Sequence, residues 1–429
     1  MIRFIYNLLW PIGLLFFLPG YLVKMYRRGG YREKFGQRLG LYDNNLRERL
    51  AQHRSIWLHA VSVGEVGVAL KLAIELRALE PDGHCVLTTT TTTGFSFANR
   101  NAPAGVEVMY NPLDFWPIMR RAFSVIRPAT IILIEAEIWP NLAAEAHAQK
   151  IPLALANARL SPQSEKHFRR FRLFVAPTFR LLDLVCVQEA ADADRWAALG
   201  VDRCRVQCPG SIKFDSTNVR IDRTGPERIL GERGIDKERL ILFGGSTHPG
   251  EEEILARIFI DLRGKFPSLF LIIAPRHVER AHEVQRALEQ LNLRVALQSQ
   301  GIVHQAIDCL ILDSTGELQN SYAVATVVFV GKSLVVHGGQ NPVEAIAAGK
   351  PVVFGPHMEN FAALARSLVA AGGAIQVSSA DELKAAVIDL LRDPNLRDRL
   401  IENARRVLEK HRGATSRTAA LVAALRAGV

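Results

Sequence analysis

Residues Phe329 to Phe361 read FVGKSLVVHGGQNPVEAIAAGKPVVFGPHMENF, and the fold follows from them. An apolar run that reads as a strand passes into Gly338-Gly339. A helix then starts at Asn341-Pro342, and a second buried strand follows at Pro351 to Phe354. Asn is a favoured N-cap and Pro a favoured first-turn residue, which places the helix start at Gln340-Asn341-Pro342-Val343-Glu344. Such a start offers unpaired N–H groups and the positive end of a dipole, and the glycines admit a ligand close to the backbone. Glu344 falls in the first turn, where its carboxylate suits the dipole and can accept hydrogen bonds from ribose hydroxyls. The same residues also describe an ordinary capped helix after a tight loop, because glycine-rich strand-to-helix turns are common in α/β folds.

Working outward, the same alternation recurs on both sides. Upstream strands are expected at Leu240 to Phe243, Phe270 to Ile273, Val295 to Leu297, Asp308 to Leu312 and Val327 to Val330. A polar, charged segment from Asp215 to Arg239 reads as an interdomain linker. Before it, strands are expected at Ile56 to Leu58, Cys85 to Leu87, Val106 to Met109, Ile131 to Ile134, Leu153 to Leu155 and Leu184 to Val187. Helical apolar spacing covers Val66 to Leu79. Short apolar strands alternating with amphipathic helices argue for parallel, doubly wound sheets. Two Rossmann-like halves with a cleft between them are expected, with ligands at the C-terminal strand ends. Helices from Asp381 and Asn395 close the chain, and the last of them can return to the first half.

The length of 429 residues exceeds what one core accommodates. A net charge of +10 admits nucleic acid, anionic lipid or phosphorylated substrates. No interleaved aromatic and basic residues and no zinc-finger spacing point to nucleic acid. The five cysteines read as free thiols in a reducing compartment, and no His or Cys pair completes a metal set around Cys204 and Cys208. Phe4 to Val23 carry no charged side chain, which is just the length of a membrane span, although Pro11, Gly13, Pro19 and Gly20 interrupt it. Lys24, Arg27, Arg28, Arg32, Lys34 and Arg38 follow. By the positive-inside rule they place the remainder on the cytoplasmic side, and they suit anionic headgroups.

Polar groups gather at the expected strand ends. The first strand runs into HAVSVGE, so Glu65 is either a first-turn carboxylate favoured by the dipole or a general base for an acceptor hydroxyl. The second ends in Thr88 to Thr93, six hydroxyls that can bind sugar or phosphate oxygens or bond the local backbone. The fourth ends in Glu135-Ala136-Glu137, two acids that are costly near a core without partners. They can pair with Lys213 or Arg159, or bind substrate. Lys213, in GSIKFD, can neutralise a departing phosphate. In the second half, GGSTHPGE forms a further strand-to-helix nest, an anion-site candidate. Pro275-Arg276 and Thr315-Gly316-Glu317 follow later strands. Asp192-Ala193-Asp194 has metal-binding spacing but falls within a helix.

In this order the motifs YREKFGQRLG, HAVSVGEV, TTTTTTG, IEAEIWPN, NARLS, GSIKFD, GGSTHPGEEE, APRH, DSTGEL, FVGKS, GGQNPVEA and GPHMENF resemble the Kdo (3-deoxy-D-manno-octulosonic acid) transferases of lipopolysaccharide synthesis. The resemblance covers nearly the whole chain. It implies an α/β protein of GT-B type, with two Rossmann-like domains facing a central cleft and an N-terminal membrane segment. The implied domains are an anchor at 1–28, an acceptor domain at 29–216 and a CMP-sugar domain at 217–429. It implies an inverting transfer of Kdo from CMP-Kdo to a tetra-acylated lipid A precursor, without metal or other cofactor. CMP-Kdo, the lipid A precursor and inner-membrane lipids are the implied partners, and nucleic acid is not one. A single N-terminal anchor in the inner membrane would hold the catalytic domains on the cytoplasmic side.

Carried onto this sequence, the proton acceptor is Glu65. Glu135 supports the transition state, with Glu137 beside it, and Lys213 is the motif lysine. The CMP contacts are Pro275, Arg276, Thr315, Gly316, Glu317, Asn341, Pro342, Val343 and Glu344. Thr315 departs from the family's pattern, which is more apolar there. Two other readings stay open: another GT-B nucleotide-sugar enzyme, such as a UDP-sugar epimerase or transferase, and a non-catalytic, membrane-anchored nucleotide-binding protein.

Overall fold

Among the described residues fourteen strands form, most of them from short apolar runs, and all pair in parallel in two sheets. A computed structural model describes residues 3–11, 13, 16, 20, 34–215, 221–301 and 306–427. The chain divides into two compact units, Met1–Asp215 with His411–Val429, and Ser216–Lys410. The sheet of the first unit contains β1 (Ser55–Ala60), β2 (His84–Thr89), β3 (Val106–Tyr110), β4 (Pro128–Ile134), β5 (Leu153–Ala158), β6 (Leu184–Val187) and β7 (Val206–Gln207), in the order β3-β2-β1-β4-β5-β6-β7. That of the second contains β8 (Leu240–Thr247), β9 (Leu269–Pro275), β10 (Val295–Leu297), β11 (Cys309–Ile311), β12 (Val327–Val330), β13 (Val352–Phe354) and β14 (Ile375–Gln376), in the order β10-β11-β9-β8-β12-β13-β14.

Parallel strands are covered on both faces, so they read as unbroken apolar runs. In β1 the two-residue period divides the side chains between two cores. Trp57 packs with Val86, Met109 and Phe123 on one face, while Ile56 and Leu58 pack with Val66, Leu70 and Leu87 on the other. The second of these cores is completed by the end of the chain. Ala419 and Val422, from the helix Ala414–Ala427, are fully buried in it. Asp215 fixes that return: its carboxylate accepts the N–H groups of Gly413 at 3.0 Å and Thr415 at 2.9 Å, and the Thr415 hydroxyl at 2.7 Å. Arg417 donates to the Pro209 carbonyl at 2.6 Å.

The expected membrane segment does not appear among the described residues. No helix among the described residues is long and apolar enough to cross a membrane, which overturns the N-terminal membrane anchor and the inner-membrane placement that rested on it. Residues 3–11 are helical, and three of their side chains bond or stack within the first unit, while Phe4, Leu8 and Leu9 are exposed. Arg3 Nε donates to Asn141 Oδ1 at 3.0 Å, Asn7 and Asn141 exchange amide hydrogen bonds, and Trp10 stacks on Phe115 with centroids 5.1 Å apart. Lys24, Arg27, Arg28 and Arg32 lie outside the described residues. Arg38, expected in the basic cluster, is buried instead. It donates to the Thr90 carbonyl at 2.7 Å and lies 4.2 Å from the Tyr110 ring centroid. The expected linker Asp215 to Arg239 contains a helix, Thr224–Gly231, and residues 216–220 of it lie outside the described residues.

Candidate active site

In the first sheet the strand order reverses between β1 and β4, and the carboxyl ends at such a switch point open a crevice. Glu65 stands just beyond β1, in the first turn of the helix Val63–Leu79. Ser62 caps that helix: its Oγ accepts from the Glu65 N–H and donates to Glu65 Oε1 at 2.9 Å, while the Val61 N–H donates to Oε2 at 2.8 Å. The carboxylate is thereby held in one orientation, in the manner of a capping box.

Glu135 is the first residue after β4 and has φ 63°, a left-handed conformation that costs an L residue of order 1–3 kcal/mol. Two backbone bonds hold it there: its N–H donates to the Ala156 carbonyl at 3.0 Å, and its own carbonyl accepts from the Arg159 N–H at 3.4 Å. Asn157 is also left-handed, at φ 54°. Its Oδ1 accepts the Ile212 N–H at 3.0 Å and the Ser211 hydroxyl at 3.3 Å, which fixes the 3₁₀ turn Ile212–Phe214 that carries Lys213. The NARLS motif thus supplies a positioning residue for Lys213 to which the sequence reading gave no role.

The charges of this group feel one another. Burial raises the Glu135 pKa and Glu65 raises it further, against the opposing pull of Lys213 and Arg159. Burial lowers the pKa of Lys213, Glu135 opposes this, Arg159 adds to it, and Glu65 opposes it again. Glu137 is pushed up to about 7, first by burial and then by Glu65 and Glu135. It has no hydrogen-bond or ion-pair partner among the described residues, so the structure does not give it the ion pair open to it in the sequence reading. Beneath the group, burial pushes the fully buried His59 down to about 4, which keeps its ring neutral. Its Nδ1 lies 3.0 Å from Thr88 Oγ1, and its Nε2 has no partner among the described residues.

The threonine run divides. Thr88 serves Trp57 and His59, while Thr89 and Thr91 donate to the Val61 carbonyl at 3.3 and 3.0 Å. These hydroxyls hold the turn before Glu65, and Thr91 also caps the helix Thr92–Asn101. Asp192 and Asp194 lie in the helix Ala190–Ala198 and pair with Arg195 and Arg203.

In the second unit the strand order reverses at β8 and its neighbour β12. The nine expected nucleotide contacts form two groups. Pro275, Arg276, Thr315, Gly316 and Glu317 line one cavity of about 130 Å³, together with Ser246 and Ser314. Glu317 is fixed there by the Ser314 hydroxyl at 2.6 Å, and Gly316 turns the chain with φ 90°. Asn341, Pro342, Val343 and Glu344 stand apart from this cavity, after the loop that leaves β12. The helix there is only Val343–Ala347, one residue later than the N-cap reading placed it. Asn341 stands one position before the N-cap, Pro342, and its Oδ1 accepts the Val343 N–H at 3.1 Å. Glu344 lies in the first turn.

One residue that sequence reasoning missed organises these loops. Glu251, fully buried, accepts N–H groups from His248 at 2.9 Å, Lys332 at 2.8 Å, Ser333 at 3.0 Å and Leu334 at 3.1 Å. The GGSTHPGE motif contained it. An acid directly after a Pro-Gly turn at a helix start reads first as a dipole partner, which hides its service to a loop eighty residues away.

Two parallel α/β units, each with charged groups gathered at its switch point, have the architecture of the GT-B fold. Residues 33–216 match the family described as 3-deoxy-D-manno-octulosonic-acid transferase (kdotransferase), and residues 304–407 match glycosyl transferases group 1. The chain is 34% identical over 391 residues to the 3-deoxy-D-manno-octulosonic acid transferase of Haemophilus influenzae, covering 90% of each. It is 34% identical over 373 residues to that of Bordetella pertussis, covering 85% of each. The UDP-GlcNAc 2-epimerase of Neisseria meningitidis bound to UDP-GlcNAc shares the fold, with TM-score 0.58 and 12% identity over 88% of this chain and 100% of that one. The chain belongs to the Kdo transferase family of lipopolysaccharide synthesis and is a glycosyltransferase.

Proposed function

We propose that this chain transfers Kdo from CMP-Kdo to a hydroxyl of a tetra-acylated lipid A precursor, with inversion at the ketosidic carbon. The acceptor oxygen bonds to that carbon, the bond to the phosphate of CMP breaks, and CMP leaves with the electron pair. Glu65 takes the hydroxyl proton. Attack opposite the leaving group inverts the centre. Glu135 and Lys213 stabilise the charge that develops, and Arg276 with the Gly316 turn holds the phosphate. Glu344 accepts from the ribose.

The observation that carries this reading is the electrostatic coupling of Glu65, Glu135 and Lys213 beyond β1 and β4. A base must be ionised and aimed, and Glu65 is held by two hydrogen bonds at a helix start that favours its charge. A lysine whose pKa burial has lowered is poorly solvated and gains most from a nearby anion. An acylated acceptor has a counterpart in the same unit. A cavity of about 400 Å³ is walled by Ile5, Tyr6, Leu9, Phe174, Val175 and Leu181, among others, and suits hydrocarbon.

The test is a product assay: full-length protein is incubated with CMP-Kdo and the precursor, and the lipid is weighed. Addition of Kdo by the wild type and none by Glu65→Ala supports the assignment. A wild type that binds CMP in a calorimeter yet adds nothing to the lipid refutes it.

A further inference from the structure

Outside both groups, the loop after β12 and the turn after β13 bring three side chains together. Ligand atoms of His337, His357 and Glu359 all lie within 4.8 Å of one another. Glu359 Oε1 is 2.9 Å from His337 Nδ1 and 3.6 Å from His357 Nδ1. The two rings are tilted, with centroids 3.8 Å apart. The other carboxylate oxygen is already fixed, since the Gly338 N–H donates to Glu359 Oε2 at 2.7 Å.

Backbone bonds hold the two segments in register. The His357 N–H donates to the Ser333 carbonyl at 2.9 Å, and the Asn360 N–H to the Gly338 carbonyl at 2.8 Å. The three ligand atoms are therefore brought together by the main chain on both sides, not by long flexible side chains alone. His357 is half-buried while His337 and Glu359 are exposed, so an ion can enter from solvent.

Two imidazole nitrogens and one carboxylate oxygen form the donor set of a three-ligand site with its fourth position open. Magnesium and calcium prefer oxygen alone, whereas imidazole suits the borderline transition ions. We propose that His337, His357 and Glu359 bind one borderline divalent cation of the Zn²⁺ class, on the rim of the Gly338–Asn341 turn. An ion seated between the rings replaces the His337–Glu359 hydrogen bond with two nitrogen bonds and one oxygen bond. The Lys332 side chain lies close to Gly338 and opposes a further positive charge, so the affinity falls below that of a closed four-ligand site. The ion ties Gly338 to Glu359 directly before the helix start at Asn341.

This site is independent of the transfer reaction, and the metal alone reads it. Co²⁺ is titrated into the full chain and followed by its visible absorption, then displaced with ZnCl₂. One Co²⁺ per chain is expected, with the intense bands of four-coordination that Zn²⁺ abolishes. His337→Ala, His357→Ala and Glu359→Gln should each weaken binding at least about tenfold, the loss that even an outer-shell partner brings. His337 is largely solvent-exposed, so its replacement leaves the core untouched, and circular dichroism verifies this. No absorption from the wild type at millimolar Co²⁺ overturns the proposal. So does wild-type binding by His337→Ala, which would move the ion to another pair such as His248 and His277.

Discussion

Glu137→Gln should make the first unit more stable, by an amount that grows as pH rises from about 4.5 to about 7. Its carboxyl is moved from 4.5 to about 7, with burial the leading cause. At about 1.4 kcal/mol per tenfold change, ionisation in the fold is disfavoured by up to about 3 kcal/mol. Partial solvent access lowers this to about 1–3 kcal/mol. Because the folded pKa is raised, the native state binds the proton more tightly than the unfolded chain between about pH 4.5 and pH 7. Stability therefore falls as pH rises through that window and stays lower above it. Glutamine carries no such penalty. The variant should match the wild type near pH 4.5 and exceed it by about 1–3 kcal/mol at about pH 8, each kcal/mol raising the midpoint by about 2–4 °C. The five tryptophans, Trp10, Trp57, Trp116, Trp139 and Trp196, all lie in the first unit, so their emission follows its melting alone. Equal midpoints at about pH 8, or a variant less stable there, would show that Glu137 ionises like an ordinary carboxylate and would refute the argument.

Glu65→Ala should bind CMP as the wild type does in a calorimeter, while transfer falls by about 10²–10⁴-fold. Glu251→Ala strands four N–H groups that it now satisfies. At about 1–3 kcal/mol each before water compensates, a net loss of about 3 kcal/mol or more is expected, read by scanning calorimetry as a lower melting temperature of the second unit; melting within a degree of wild type would count against it. Gly355→Ala drives a Cβ into the Ser333 carbonyl and should cost about 1–3 kcal/mol or more. Gly67→Ala, in open space within the helix Val63–Leu79, should instead stabilise by about 0.5–1 kcal/mol, and denaturant midpoints compare each with the wild type.

The strands were legible because parallel sheets bury both faces, so β6, β10, β12 and β13 appear residue for residue as apolar runs. The two-residue edge strands β7 and β14 were not, since two residues make no run. Asn341 reads as the N-cap, which falls instead on Pro342, because a helix of five residues leaves too little periodicity to fix its start. Chemistry at strand ends was visible as residue type, and its geometry was not. Nothing in the sequence says that Glu135 and Asn157 take left-handed conformations, or that Glu137 lacks an ion pair. The N-terminal reading failed for a physical reason. Hydropathy counts apolar side chains and cannot see Arg3 and Asn7 on one flank bonding Asn141, so a stretch fixed to its own unit by polar contacts looks like a span.

The helix Ala414–Ala427, which completes the core around Leu58 and Val66, has a consequence for how the chain comes into being. A ribosome delivers residues from the N-terminus at about 5–20 per second, and a unit closes its core once all its parts have emerged. Ser216–Lys410 is contiguous, so the later-encoded body is the first to be whole. The earlier-encoded one waits, its sheet made but one core incomplete, until Ala419 and Val422 leave the exit tunnel. A messenger truncated near its end would therefore spoil the half of the protein it encodes first.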